Sequence, residues 1–131
     1  MNVLLSIKPK FAEKILDGTK RFEFRKRLFK DPRVKKVIIY ATKPIGRVVG
    51  EFSIEGYTTG TPEWVWTQTG NYAGISKDYF FEYFLEKEWA VAIHIGKVSR
   101  YPDPMQLNQL RENLSPPQSF VYLCDVDDVL I

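Results

Sequence analysis

The chain is poor in the residues that usually carry redox, metal or membrane chemistry. Its one cysteine, Cys124, excludes an internal disulfide and a thiolate cluster. Cys124 closes the run Phe120-Val121-Tyr122-Leu123-Cys124, where it is expected to fill a small apolar core position. Its one histidine, His94, has no partner at metal-ligand spacing and reads as a histidine bonded within a sheet. No apolar run approaches the roughly 20 residues that span a bilayer. Met1 to Ile7 lacks the basic start and the length of a secretory leader. No Walker loop, dinucleotide fingerprint, Gly-x-Ser-x-Gly elbow or zinc spacing occurs. A reduced, cytoplasmic setting without metal, cofactor or membrane is the expectation.

What is present is apolar, aromatic and locally basic. Apolar residues make up 44% of the 131 positions and aromatics 15%, enough for one packed core and too much for disorder. Residues 1–131 are therefore expected to form a single domain. The net charge of +3 is too small to argue for a nucleic acid alone, but it is unevenly spread. From Lys8 to Lys36 there are 12 Lys or Arg against four acids, an excess that the run Asp125 to Asp128 partly offsets. A basic first quarter on a nearly balanced chain can make a local positive patch or a set of solvated tips. Within it, Gly18 to Arg27 holds five Lys or Arg and a single acid, Glu23. There Phe22 and Phe24 alternate with Arg21, Glu23, Arg25 and Arg27. That period of two predicts a half-buried strand with an apolar face inward and a charged face outward.

The rest of the chain divides into short elements. Val3 to Ile7 reads as a buried strand, followed by a helix that Pro9 opens and Gly18 ends. Val37 to Ala41 reads as a central strand and Arg47 to Tyr57 as another, with Gly50 inviting a bulge. Thr58 to Gly74 is either a long functional loop or a short helix flanked by turns. Ser76 is a competent cap for a second helix whose core face would carry Tyr79, Phe80, Tyr83 and Phe84. Trp89 to Ile95 alternates, with the small Ala90 and Ala92 allowing another element to approach. Met105 to Leu114 is helical in pattern, and Pro116 to Ser119 leads into a last strand. The order β-α-β-β-β-α-β-α-β favours an α+β fold with a mixed, curled sheet.

The ordered set Leu5-Ser6-Ile7-Lys8-Pro9, Asp17-Gly18, Gly18-x-Lys20-x-x-Glu23-x-Arg25, Ala73-Gly74-Ile75-Ser76, Ala90-Val91-Ala92-Ile93 and Pro116-Pro117-Gln118-Ser119-Phe120 resembles the ASCH domain, a branch of the PUA-like superfamily. The resemblance implies a small curved mixed β-barrel with flanking helices and a cleft beside the first helix. It also implies binding of RNA or a nucleotide, with roles in transcription or translation control. Some relatives are enzymes, among them an amidohydrolase acting on N4-acetylcytidine and a ribonuclease. In the amidohydrolase branch the strand motif reads Gly-x-Lys-x-x-Thr-x-Arg. Lys20 and Arg25 match it, but Glu23 stands where the nucleophilic Thr would be, so that mechanism does not carry over.

The candidate cleft comprises Lys8, Lys20, Glu23 and Arg25. Glu23 and Arg25 would offer a carboxylate for an exocyclic amine and a guanidinium for a phosphate or carbonyl edge. The bland alternative is a surface ion pair worth under about 1 kcal/mol. Trp64 and Trp66 are candidates for base stacking or for core packing, as are Tyr40 and Tyr72. Three readings follow. One is an RNA- or nucleotide-binding module. Another is a small metal-independent hydrolase of a modified nucleoside or an RNA phosphodiester, with Glu23 as base and Lys20 polarising the substrate. The last is an adaptor that meets a protein partner through exposed aromatics.

Overall fold

The computed structural model describes residues 1–124; the acidic run Asp125 to Asp128 lies outside the described residues. β1 (Asn2–Ile7) is apolar along its length because both its faces are covered: Val3, Leu5 and Ile7 enter one cluster and Leu4 another. α1 (Pro9–Leu16) starts with Pro9 in its first turn, and Gly18 follows its end with φ +88°. β2 (Phe22–Arg25), β3 (Lys36–Ala41) and β4 (Arg47–Gly60) come next. The Thr- and Gly-rich stretch resolves into the short-helix alternative: α2 (Pro62–Thr69) is capped by Thr61, whose Oγ1 accepts from Trp64 N–H at 3.2 Å. A single 3-10 turn follows at Gly70–Tyr72. α3 (Lys77–Tyr83) is capped by Ser76, as its sequence signal requires, with Oγ accepting from Tyr79 N–H at 3.0 Å.

β5 (Ala90–Met105), α4 (Leu107–Leu110) and β6 (Phe120–Leu123) complete the order. The third expected helix shrinks to one turn because β5 runs on until Met105 pairs with Val48. Cys124 is exposed, contrary to the core position expected for it. Leu123 takes the buried place, and strand alternation carries the next residue outward.

The six strands form one mixed sheet in the order β2-β5-β4-β3-β1-β6, parallel between β1 and β3 and antiparallel elsewhere. The long β4–β5 ribbon makes the sheet curl. One half of β4, from Arg47 to Ser53, pairs with β3, while Tyr57 to Gly60 pairs with the stretch of β5 that also holds β2. Register shifts between Val48 and Gly50, Phe52 and Ile54, and Ile54 and Gly56 bend the ribbon between those halves. Gly50 permits a close approach of backbone to backbone: a Cβ there would meet Ser99 O at 2.6 Å and Leu16 Cδ2 at 2.7 Å. The inside of the curl is filled by Leu5, Ile7, Ile15, Ile39, Phe52 and Ile93. On the opposite face of β2 and β5, the small Ala90 and Ala92 let Phe24, Val65 and the α3 rings of Phe80 and Phe84 close in. Phe80 meets Phe24 edge-on at 5.0 Å and Phe84 at 4.8 Å.

Gly50→Ala should lower stability by about 1–3 kcal/mol through this overpacking. Chemical denaturation reads it; an unchanged midpoint would mean that the ribbon bends without needing a bare backbone at that point.

Candidate nucleic-acid-binding cleft

The junction between α1 and β2 is pinned from both sides. Lys20 N–H donates to Lys14 O at 3.0 Å, and Arg21 N–H donates to Tyr72 O at 2.9 Å. So held, the Lys20 side chain runs inward and is only 2% exposed. Its Nζ donates to Ala73 O at 2.7 Å and lies 4.8 Å from the ring centre of Phe24 and 5.5 Å from that of Phe11. Gly74 makes room for this path. Its φ is +69°, and a Cβ on it would stand 2.5 Å from Lys20 Cβ, so position 74 excludes a side chain on two counts.

Glu23 is buried, against the expectation that alternate residues of this strand would face water. The pattern misleads because β2 is covered on both faces: Phe24 enters the aromatic layer under α3, and Glu23 turns to the hollow beside α1. Arg25 Nη1 donates to Glu23 Oε2 at 3.2 Å, and Arg25 Nη2 donates to Ser119 O at 2.9 Å. With side chains only 14% and 9% exposed, the pair is not a surface ion pair. Arg21 and Arg27 lie outside the strand and are exposed, so no three-guanidinium face forms.

Lys20 and Glu23 reach the same hollow, of about 150 Å³. That volume suffices for a six-membered aromatic ring. Phe11, Phe24 and Ile75 supply apolar wall, and Lys8 stands at the mouth with Nζ donating to Tyr79 Oη at 2.9 Å. Ser6 also lines it and donates from Oγ to Pro117 O at 2.7 Å. The Pro116–Ser119 segment is thus tied to the rim at two points, by Ser6 and by Arg25. Burial pushes the Lys20 ammonium down to about 8, against an upward pull from Glu23 and with a further downward push from Lys14. Burial also raises the Tyr83 phenol, which closes the far side. An ammonium has three donors and Ala73 takes one; a carboxylate accepts at two oxygens, and Arg25 occupies Oε2. The remainder can serve a ligand.

Lys8, Lys20, Glu23 and Arg25 therefore come together, while the two tryptophans stand elsewhere. Trp66 packs on Phe80 and Phe81 at 5.0 and 6.2 Å, and Trp64 is 53% exposed over Gly60. Tyr40 is buried, and Tyr72 is exposed under the Arg21 guanidinium at 5.2 Å. His94 Nε2 shares a hydrogen bond with Thr58 Oγ1 at 2.6 Å, the satisfied sheet histidine expected. Among the described residues no group of three or more His, Cys, Asp or Glu could hold a metal. No helix among them is long and apolar enough to cross a membrane. Tyr79 and Tyr83 also line the hollow, a place that the sequence reading does not give them. They share an aromatic stripe with Phe80 and Phe84, and the hydroxyl-bearing pair recurs at i and i+4 one position out of phase.

The ASCH domain model matches residues 5–99, with the strand motif and the α3 segment inside that span. The chain belongs to the ASCH family. An ASCH domain-containing ribonuclease of Zymomonas mobilis is 32% identical to it over 122 residues, which cover 92% of this chain and 82% of that protein. The crystal structure of ASCH from the same organism superposes with a TM-score of 0.85 at 30% identity, covering 98% of this chain and 91% of that one. The N-terminal domain of McrB from Staphylothermus marinus shares the fold alone, with a TM-score of 0.56 at 14% identity over 98% of this chain and 91% of that one. The curled mixed sheet with flanking helices is the PUA-like arrangement that the motifs implied.

Because Lys20 titrates near 8 in the folded ASCH chain and near 10.5 when unfolded, the unfolded state holds the extra proton between those values. Stability contributed by this group therefore rises with pH across that window and is lowest below it. Wild type should gain about 3 kcal/mol relative to Lys20→Met between pH 8 and 10.5. Denaturation curves of the two proteins against pH test this; parallel curves would contradict a buried ammonium.

Proposed function

We propose that this ASCH chain binds single-stranded RNA and seats one nucleotide in the Lys20–Glu23 hollow. The observation that carries the reading is the pairing of a buried ammonium and a buried carboxylate in one aromatic-walled space sized for a base. Lys20 would donate to a phosphate or carbonyl oxygen, and Glu23 would accept from an exocyclic amine. Phe11 and Phe24 already flank the ammonium and would meet the faces or edges of a base. Lys8 at the mouth, and the basic segment that runs on from Arg25, would serve phosphates. The regulatory role implied by kinship asks nothing more of the site than this binding.

Filter-binding titrations with RNA oligonucleotides should give saturable binding that weakens as salt rises, with a log–log slope of about 0.7 per phosphate contact. Lys20→Met should weaken it roughly 10- to 100-fold, the worth of a charge-assisted hydrogen bond. Binding that ignores both salt and the substitution would refute the reading.

A second reading, cleavage of the RNA backbone, is favoured by the depressed Lys20 ammonium and by the name of the Zymomonas relative. Glu23 is engaged by Arg25, so the base role expected for it passes to Lys20. Neutral Lys20 would take the proton of a 2′-hydroxyl, the 2′-oxygen would attack the adjoining phosphorus, and the 5′-oxygen would leave with a proton from water. The amidohydrolase variant has no hydroxyl at position 23 to carry an acyl group. An end-labelled RNA oligomer should be cut by wild type faster as pH rises through about 8 and about 10²- to 10⁴-fold more slowly by Lys20→Met. Its DNA counterpart, lacking the 2′-hydroxyl, should stay intact. Equal cutting of RNA by both proteins would discard this mechanism.

A further inference from the structure

We propose a second base-stacking subsite for the same RNA strand, in the hollow between the β2–β3 connection and β4, with Tyr57 as its platform. The proposal rests on the RNA-binding reading of the first hollow and extends it. This second hollow is larger, about 430 Å³ against 150 Å³, and no motif of the sequence marks it. Leu28, Phe29, Val34 and Ile54 form its apolar lining and Tyr57 borders it, with Lys30 and Lys35 on its edge beside the acids Asp31 and Glu55. Tyr57 is 40% exposed and meets the buried Phe29 edge-to-face at 6.4 Å, so its ring is fixed from below and open to solvent.

The sheet register places this platform in line with the first hollow. Glu23 pairs with Ile93, and Ile93 pairs with Tyr57, so the three occupy one row across β2, β5 and β4 and point to the same face. Two strand spacings separate Glu23 from Tyr57, about 10 Å. That is about three rises of a stacked single strand at 3.4 Å each. Ile93 between them is fully buried, so a strand of at least four nucleotides, passing over the β2–β3 connection, would be needed to touch both hollows.

The connection over the second hollow is rigid and basic. Tyr122 Oη accepts from the backbone N–H groups of Lys30 and Asp31 at 2.9 and 3.1 Å, and Phe29 also packs on Phe120 at 5.8 Å. From Arg25 to Lys36 there are seven Lys or Arg and one acid. That acid, Asp31, is held by Arg33 at 2.8 Å within the same loop. The excess complements phosphates on a path from one hollow to the other, while the open tyrosine ring suits a base without regard to its identity. The shifts of register on either side of Ile54 re-aim the middle of β4 at this point, as bulges beside binding sites do.

The test titrates wild type, Tyr57→Ala and Tyr57→Phe with 5′-CMP, whose single-ring base suits the first hollow, and with tetra-cytidylate RNA. Tyr57→Ala should leave 5′-CMP binding unchanged and weaken the tetramer about 5- to 150-fold, the worth of one base–aromatic stack. Tyr57→Phe keeps the ring and should bind both as wild type does. Tetramer binding untouched by Tyr57→Ala would overturn the second subsite and leave the first intact. Equal loss for 5′-CMP and tetramer would also overturn it, since Tyr57 would then be shaping the fold. If wild type binds neither ligand, the RNA reading fails and this one with it.

Discussion

An ammonium buried against aromatic rings, with a single backbone carbonyl as its closest partner, is the constraint around which this molecule is arranged. Lys20 keeps its charge in a place that disfavours it, and burial draws its proton affinity down accordingly. The arrangement persists because each neighbour is fixed by something else. Ala73 is in the core under α3, Gly74 leaves space for the lysine stem, and the α1 end holds the backbone of residue 20. A charge so placed weakens the fold below pH 8 and is hard to explain as packing. In the proposed reading it is a donor kept desolvated until an anionic or carbonyl oxygen meets it.

The long bent ribbon turns this local feature into an extended surface. β5 carries β2 on one side and β4 on the other, so a residue of the basic strand and a residue of the ribbon's outer strand come into register without any direct contact. The Pro116–Ser119 segment, bound by Ser6 and Arg25, closes the rim from a distant part of the chain. Family motifs that are scattered in the sequence thus meet around one hollow.

Much of the architecture was legible because it rests on local chemistry. Pro9 starting α1, Gly18 ending it and Ser76 capping α3 are backbone demands that each residue meets by itself. The apolar run of β1 implied covered faces, and Ala90 and Ala92 implied a close neighbour; both hold. The burial of Glu23 is not legible in its strand, because a period of two tells which residues share a face and not whether the second face is wet. Only a motif points to the inward course of Lys20, since the carbonyl that receives it lies 53 residues further on. Tyr79 and Tyr83 were hidden by their phenylalanine neighbours in a stripe where every residue is aromatic. Tyr57 and Phe29 share no local pattern, because only sheet register and a loop over the curl bring them together.

The most direct measurement is an NMR titration of the Lys20 side-chain methylene next to Nζ, followed against pH with and without 5′-CMP. The account predicts a midpoint near 8 in the free protein, shifted upward by the nucleotide because a bound anion favours the charged amine. A midpoint at the ordinary lysine value of 10.5, unmoved by nucleotide, would contradict it.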